Sequence, residues 1–283
     1  MTDIKFPFKN ITIIGMGFMG TSLGLAIKSL NIPDCQINAM TRDGKKASEL
    51  KALNCFDNVW TEYSEEFKKS DLIILAGTLD SFSSTCKKLS EWTKNTPVVM
   101  DLGSVKKNVI DELEPLLKNK AHYIPCHPMI GSEKSGHLEA NSHLYENSKC
   151  ILTPISNQDD ESLKNVETFW EFLNVTIVKM DPLEHDEIVG HCSHLPHLIA
   201  VALVNSSNEG INQVAGQSWD DLTRIAKSSG ALWSDILLRN KESILTSIDQ
   251  FCVQLNNFKE HISNNDHEKI GKEFERAKST LQD

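Results

Sequence analysis

ITIIGMGFMGTSLGLAIKSL, residues 11–30, decides the fold of this chain. Ile11 to Ile14 form the short apolar run that a strand buried on both faces requires, and from Thr21 to Leu30 apolar residues recur at helical spacing. Between them GMGFMG sets Gly15, Gly17 and Gly20 in a Gly-x-Gly-x-x-Gly pattern. In such a strand–turn–helix unit the first glycine makes the tight turn and the second lets backbone approach a pyrophosphate. The third lets helix and strand pack closely, with the helix N-terminus facing the anion. Glycine-rich turns are common, so the flanking strand and helix, with a second strand at INAMT (37–41), are what make this a dinucleotide site. Its candidate cofactor residues are Gly15, Gly17, Phe18, Met19, Gly20, Thr41 and Arg42. A NAD-preferring site usually carries an acid at the end of the second strand, whereas Thr41 and Arg42 stand there. A guanidinium pairs with a 2′-phosphate, which tilts the reading from NAD toward NADP; Asp43 is placed to cap the next helix.

Outward from this unit, short β-rich runs alternate with helical stretches. DLIILAG (71–77), PVVMDLG (97–103), HYIPC (122–126), CILTP (150–154) and VTIVKM (175–180) extend the series, which predicts a mainly parallel sheet covered on both faces. After Pro182 the strand signal stops, and LIAVALV, DILLRNKESILTSIDQFCVQLNNF and HEKIGKEFERAKSTL carry helical spacing. The expected fold is α/β: a Rossmann-type doubly wound sheet over residues 1–181, followed by an all-α dimerisation domain over 182–283. Long apolar stripes that no sheet covers must pack on one another or on a second subunit, so a homodimer through the C-terminal helices is expected.

Composition narrows the partners. Twenty-nine basic against 39 acidic residues give a net charge of −10, which removes the electrostatic attraction that nucleic-acid binding needs. The seven cysteines are scattered, without a Cys-x-x-Cys pair, and suit reduced thiols rather than a disulfide frame or a zinc cluster. The N-terminal residues lack the order of a signal peptide and no uncharged apolar run looks long enough to span a bilayer. A cytoplasmic protein acting on a small molecule, with neither nucleic acid nor membrane as partner, is the expectation.

Chemistry-bearing residues gather beyond the expected strand ends, where doubly wound folds place their ligands. DLGSVKKN puts Ser104 just past one strand, and CHPMIGSEKSG puts His127 just past the next. A serine and a histidine delivered there can share a hydrogen bond, and the histidine can take a hydroxyl proton while hydride leaves the same carbon. Ser104 could instead cap a helix starting at Val105, and Glu133 and Lys134 read equally as solvated loop charges. HDEIVGHCSHLPH brings His185, His191, His194 and His197 to the start of the helical half. His194 and His197, three apart, suit zinc geometrically, but no Cys or His-Glu-x-x-His partner accompanies them and Pro196 lies between them, so no metal is expected. Anion recognition is better supported, because DDLTRIAKSSGALW supplies Arg224, a bidentate carboxylate holder, and Trp233, which walls a pocket or fills a helix interface.

With these residues in hand, the chain resembles the prephenate dehydrogenase family, which includes the arogenate and cyclohexadienyl dehydrogenases. The resemblance runs from Ile11 to about Phe258 through GMGFMG, DLGSVK, HPMIGSEKSG, CILTP, HDEIVGHCSHLPH, DLTRIAKSSGALW and DILLRNK, in the family's order. It implies a Rossmann domain followed by a helical dimerisation domain, NAD(P) as cofactor, and oxidative decarboxylation of prephenate or arogenate. It implies that His127 is the catalytic histidine at the ring hydroxyl, helped by Ser104. His197 and Arg224 would hold substrate carboxylates, and Glu133 and Asp221 would join Arg224 in an ionic network at the entrance. Trp233 would reach toward a neighbouring subunit's site, while His194 and His185 match positions of less defined role. Two departures stand out: Ser229 and Gly230 replace an Asp-Pro or Ser-Pro pair, and Thr41 replaces the acid of NAD-preferring relatives. Two rivals are a β-hydroxyacid-type dehydrogenase, which would need a lysine base such as Lys227, and a non-catalytic NAD(P)-binding sensor.

Overall fold

β1 (Asn10–Ile14) lies at the middle of the molecule, with Ile11 and Ile13 wholly buried. The computed structural model describes residues 5–63, 65–92, 96–130, 134–156, 158–208 and 210–281. β1 pairs in parallel with β2 (Gln36–Met40) on one side and β4 (Leu72–Leu75) on the other. With β3 (Asn58–Trp60), β5 (Val98–Asp101), β6 (His122–Met129), β7 (Lys149–Leu152) and β8 (Thr176–Lys179) they form one eight-stranded sheet in the order β3-β2-β1-β4-β5-β6-β7-β8. The order reverses at β1 and β4, the switch point where such sheets open a crevice beyond the strand ends. The short β3 was not expected from sequence, because three residues give no readable period.

Both faces are covered. Along β4, Leu72 and Ile74 join the core under α1 (Phe18–Ser29) and α5 (Asp160–Phe172), while Ile73 and Leu75 join the core under α3 (Leu79–Trp92) and α4 (Lys107–Leu117). Alternate residues of one strand thus feed opposite cores, which is why these strands read as unbroken apolar runs. One pairing departs from expectation: β6 and β7 run antiparallel, with His127 opposite Ile151. His127 is therefore inside a strand and not beyond its end, since β6 continues through Pro128, whose missing N–H the register tolerates.

Beyond β8, Asp181 accepts the N–H groups of Leu183 and Glu184, and Pro182 opens α6 (Pro182–Val189). The helix passes through a π turn, Gly190–His194, into α7 (Leu195–Asn205). In the π turn the N–H of Leu195 reaches back to the carbonyl of Gly190. That widening falls just before Pro196, whose ring would press on the Cys192 carbonyl in an uninterrupted α-helix. The continuous helix, Pro182–Asn205, runs 24 residues, and its most apolar 18-residue stretch has mean hydropathy 1.3, enough to cross a bilayer by length and composition alone. The remaining helices are α8 (Gln217–Thr223), α9 (Gly230–Arg239), α10 (Lys241–Ser263) and α11 (His267–Thr280). Ser229 caps α9 through Leu232 N–H, so the Ser-Gly departure preserves a helix start. Arg239 ties α9 to the sheet half, donating to Asn108, Glu112 and Asp80. Val201, Val204, Leu245, Val253, Leu255, Ile262 and Phe274 remain exposed on α7, α10 and α11.

The glycine turn separates two structural demands. Gly15 has φ +100°, and a Cβ there would lie 2.2 Å from the Gly77 nitrogen, whereas a Cβ at Gly17 would meet nothing within 4 Å. Gly15→Ala should cost at least about 2 kcal/mol in chemical denaturation, and Gly17→Ala less than about 1 kcal/mol. Equal costs would show that the turn is not held as described.

Candidate active site

The glycine turn feeds α1, which begins at Gly17 without a side-chain cap, leaving its first N–H groups available to a ligand. The space over Gly17 is the gap a pyrophosphate needs, and Gly20 lies so close to the turn that a Cβ would sit 2.3 Å from the Gly15 carbonyl. Phe18 is buried, and the Met19 carbonyl accepts the Tyr145 hydroxyl at 2.9 Å, so these two hold the loop. At the end of β2 the buried Thr41 accepts Asp43 N–H, and Asp43 caps α2 (Gly44–Ala52) through Lys45 and Lys46, whose N–H groups hold its carboxyl below the usual carboxylate range. Arg42 stands exposed beside them. These residues fit a nicotinamide dinucleotide: the open N-terminus of α1 would hold its diphosphate, and Thr41 and Arg42 would hold its ribose.

His127 stands farther along the same sheet and is 7 % exposed. Its Nδ1 lies 2.8 Å from Nε2 of His185 on α6, and the Nδ1 of His185 lies 2.8 Å from an oxygen of Asp186. That carboxylate also accepts the N–H groups of Lys106 (2.8 Å) and Lys107 (2.9 Å), capping α4 from the opposite half of the chain. Ser104 therefore does not cap α4; it sits half-buried in the bend after β5, and His127 turns its Nδ1 to His185 instead of to Ser104. The hydrogen-bond chain fixes the tautomers. Asp186 offers only acceptors, so His185 carries its proton on Nδ1 and presents the Nε2 lone pair; His127 then donates its Nδ1–H and keeps a lone pair on Nε2. Burial holds the pKa of His127 well below its ordinary value, reinforced by His185, Lys106 and His194, and burial likewise lowers His185 against the pull of Asp186.

Beneath His127 lies a fully buried ion pair. Lys106 Nζ donates to Asp101 and to the carbonyl of Cys126, while Asp101 also accepts the Tyr123 hydroxyl and Gly103 N–H, each at 2.8 Å. A dry charge pair is tolerable only with such complete hydrogen bonding. It locks the ends of β5 and β6 together, and Tyr123, buried against Asp101, is pushed well above its ordinary pKa.

The helical half supplies the other wall. Asn240 spends both amide hydrogens, on the Asp186 carbonyl (2.8 Å) and on His194 Nδ1 (3.1 Å). His194 must then carry its proton on Nε2, a buried N–H with no acceptor among the described residues. Burial lowers its pKa to about 4, so it stays neutral. His197 donates Nδ1–H to the Ser193 carbonyl at 2.9 Å and stacks on Trp233 with ring centroids 3.7 Å apart, while His194 meets the same indole edge-on at 5.9 Å. Within the single chain Trp233 thus covers His197. Arg224 opens a turn, Arg224–Lys227, packed on α7, and its charge helps burial depress His197. Of the expected ionic network, Asp221 accepts Gln217 at 2.7 Å and Glu133 lies outside the described residues. His191 faces solvent. Sequence reasoning passed over Asp186, Lys106, Asp101 and Asn240; only Asp186, next to His185, carried a local hint.

Comparison with known proteins agrees with the two-part fold. Residues 23–179 match the nucleotide-binding domain of prephenate dehydrogenase and residues 181–276 its dimerization domain. A prephenate dehydrogenase of Bacillus subtilis is 30% identical over 95% of this chain and 74% of its own length. A cyclohexadienyl dehydrogenase of Zymomonas mobilis is 28% identical over 95% of this chain and 94% of its own. The crystal structure of prephenate dehydrogenase from A. aeolicus, in complex with hydroxyphenyl propionate and NAD+, superposes with a TM-score of 0.90 at 32% identity, covering 97% of each chain. With its glycine-turn sheet and its helical half matched along nearly the whole chain, this protein is a member of the prephenate dehydrogenase family of nicotinamide-dependent oxidoreductases.

Proposed function

We propose that the chain converts prephenate to 4-hydroxyphenylpyruvate in tyrosine biosynthesis, with arogenate as a second substrate, in a cytoplasmic homodimer joined through its helical half. The observation that carries the reading is His127, a buried neutral imidazole whose Nδ1–H is committed and whose Nε2 lone pair is free for a proton. Residues 1–181 bind the cofactor and 182–283 form the substrate and dimerisation domain. The exposed apolar residues of α7, α10 and α11 supply the surface for the second copy.

A nicotinamide held at the N-terminus of α1 would supply the acceptor for the hydride on the ring carbon that bears the hydroxyl. His127 accepts the hydroxyl proton on Nε2, with Ser104 orienting that hydroxyl, and loss of CO2 aromatises the ring. Aromatisation makes the step downhill, so the protein's tasks are orientation and proton acceptance. Arg224 and His197 hold the carboxylates, with Glu133 and Asp221 as acidic partners for Arg224, and His194 offers its buried Nε2–H to a substrate oxygen. Trp233 keeps His197 in place by stacking. Thr41 and Arg42 in place of an acid favour NADP over NAD.

His197 adds a pH signature. Its Nδ1–H belongs to Ser193, so Nε2 can donate to a carboxylate only once protonated, and its depressed pKa means that the proton arrives with the substrate. Binding then raises the folded pKa of His197, and affinity declines as pH rises. Titration calorimetry in buffers of differing ionisation enthalpy should show uptake approaching one proton at neutral pH, lost in His197→Gln; no uptake in the intact protein would remove His197 from carboxylate binding. His127→Asn should lower kcat about 100-fold or more with little change in KM, whereas Arg224→Ala should chiefly raise KM, both read from cofactor reduction with prephenate. Arg42→Ala should weaken NADP at least about tenfold and NAD little; an equal loss for both would reject the 2′-phosphate contact.

A further inference from the structure

We propose that His185 and Asp186 form, with His127, a proton relay spanning both halves of the chain, in which His185 is the positioning residue that keeps the Nε2 of His127 basic. The geometry is a continuous line: His127 Nδ1 to His185 Nε2 at 2.8 Å, His185 Nδ1 to Asp186 at 2.8 Å, and Asp186 to the N-terminus of α4 at 2.8 and 2.9 Å. The two imidazoles are buried and meet edge to face, with centroids 5.1 Å apart, so neither can flip without losing its partner. This proposal rests on His127 being the base of the reaction above.

The chemistry balances within the line. When the substrate O–H breaks, its proton forms a bond to His127 Nε2 and the ring becomes an imidazolium. Its Nδ1–H still points at the lone pair of His185, and the positive charge is shared toward the Asp186 carboxylate. Without His185, a neutral His127 can place its proton on Nε2, where it is no base for the substrate. The other groups bearing on the pair are Lys106 with its Asp101 counter-ion beneath the strand, His194 from the helix, and Cys150 on β7, whose buried thiol stays protonated. Lys106 and His194 disfavour the imidazolium; Asp186 is the anion that offsets them. Because the line crosses from the sheet to α6, the basicity of His127 depends on the two halves keeping their docking.

Two measurements test the relay. In unliganded wild-type protein at neutral pH, 15N-histidine NMR should show Nδ1 of both His127 and His185 as pyrrole-type and Nε2 of His127 as pyridine-type. A protonated Nε2 on His127 overturns the proposal whatever the activity. In steady-state kinetics with prephenate, His185→Leu should lower kcat at least about 100-fold with KM and dinucleotide affinity within about threefold. His185→Gln, whose Oε1 can accept the His127 Nδ1–H, should recover to within about tenfold of wild type. Asp186→Asn, by removing the anion, should move the acid limb of kcat/KM about half a unit or more to lower pH. Wild-type turnover in His185→Leu, or an unmoved acid limb in Asp186→Asn, would reject the relay. Absence of prephenate turnover in wild type, with the tautomers as stated, would instead reject the substrate assignment.

Discussion

The carboxylate of Asp186 is the constraint on which the rest of the site depends. It lies on the first helix of the all-α half, yet its three hydrogen-bond donors are the Lys106 and Lys107 amides at the start of α4 and the ring of His185. An anion at a helix N-terminus is already stabilised by the unpaired N–H groups and the helix dipole, so Asp186 needs no cation beside it. That leaves it free to set the tautomer of His185. One side chain docks two substructures and decides which nitrogen of His127 is basic.

The cation that might have paired with Asp186 is spent elsewhere. Lys106 turns its ammonium away from the carboxylate that accepts its own amide, down to Asp101 and the Cys126 carbonyl. Both partners are wholly shielded from water, so the pair gives less net stability than rigidity: loss of either partner would strand a charge, whereas together they fix the two strand ends that flank the chemistry. The site therefore rests on a buried salt bridge below and a capped helix beside it, and burial keeps His127, His185 and His194 neutral, at the last two against the pull of Asp186.

The π turn belongs to the same logic. Pro196 cannot continue an α-helix over Cys192, and the widened turn that accommodates it sits between His185 and His197. The extra residue changes the angular relation of His185, His194 and His197, letting one helix meet His127, Asn240 and Trp233. A strictly α-helical reading of HDEIVGHCSHLPH would place those rings differently, so the spacing of His194 and His197 in sequence does not give their relation in space.

What the sequence determined by itself is the layout that local physics sets: the strand–glycine–helix unit, the succession of apolar runs, the switch to helical spacing after Pro182, and Ser104, His127, His197 and Arg224 in motifs resembling one family. Such features are written in periods of two and 3.6 and in residues whose backbone needs are particular. Tertiary structure alone decided the antiparallel β6–β7 pair, the place of His127 within a strand, and the contacts from His127 to His185 and from Asp186 to Lys106, the last joining residues 80 positions apart. Nothing local marks those contacts, because a histidine next to an aspartate looks the same in sequence whether it faces water or a buried imidazole. Protonation state is a property of the environment, and the environment exists only once the two halves have closed on each other.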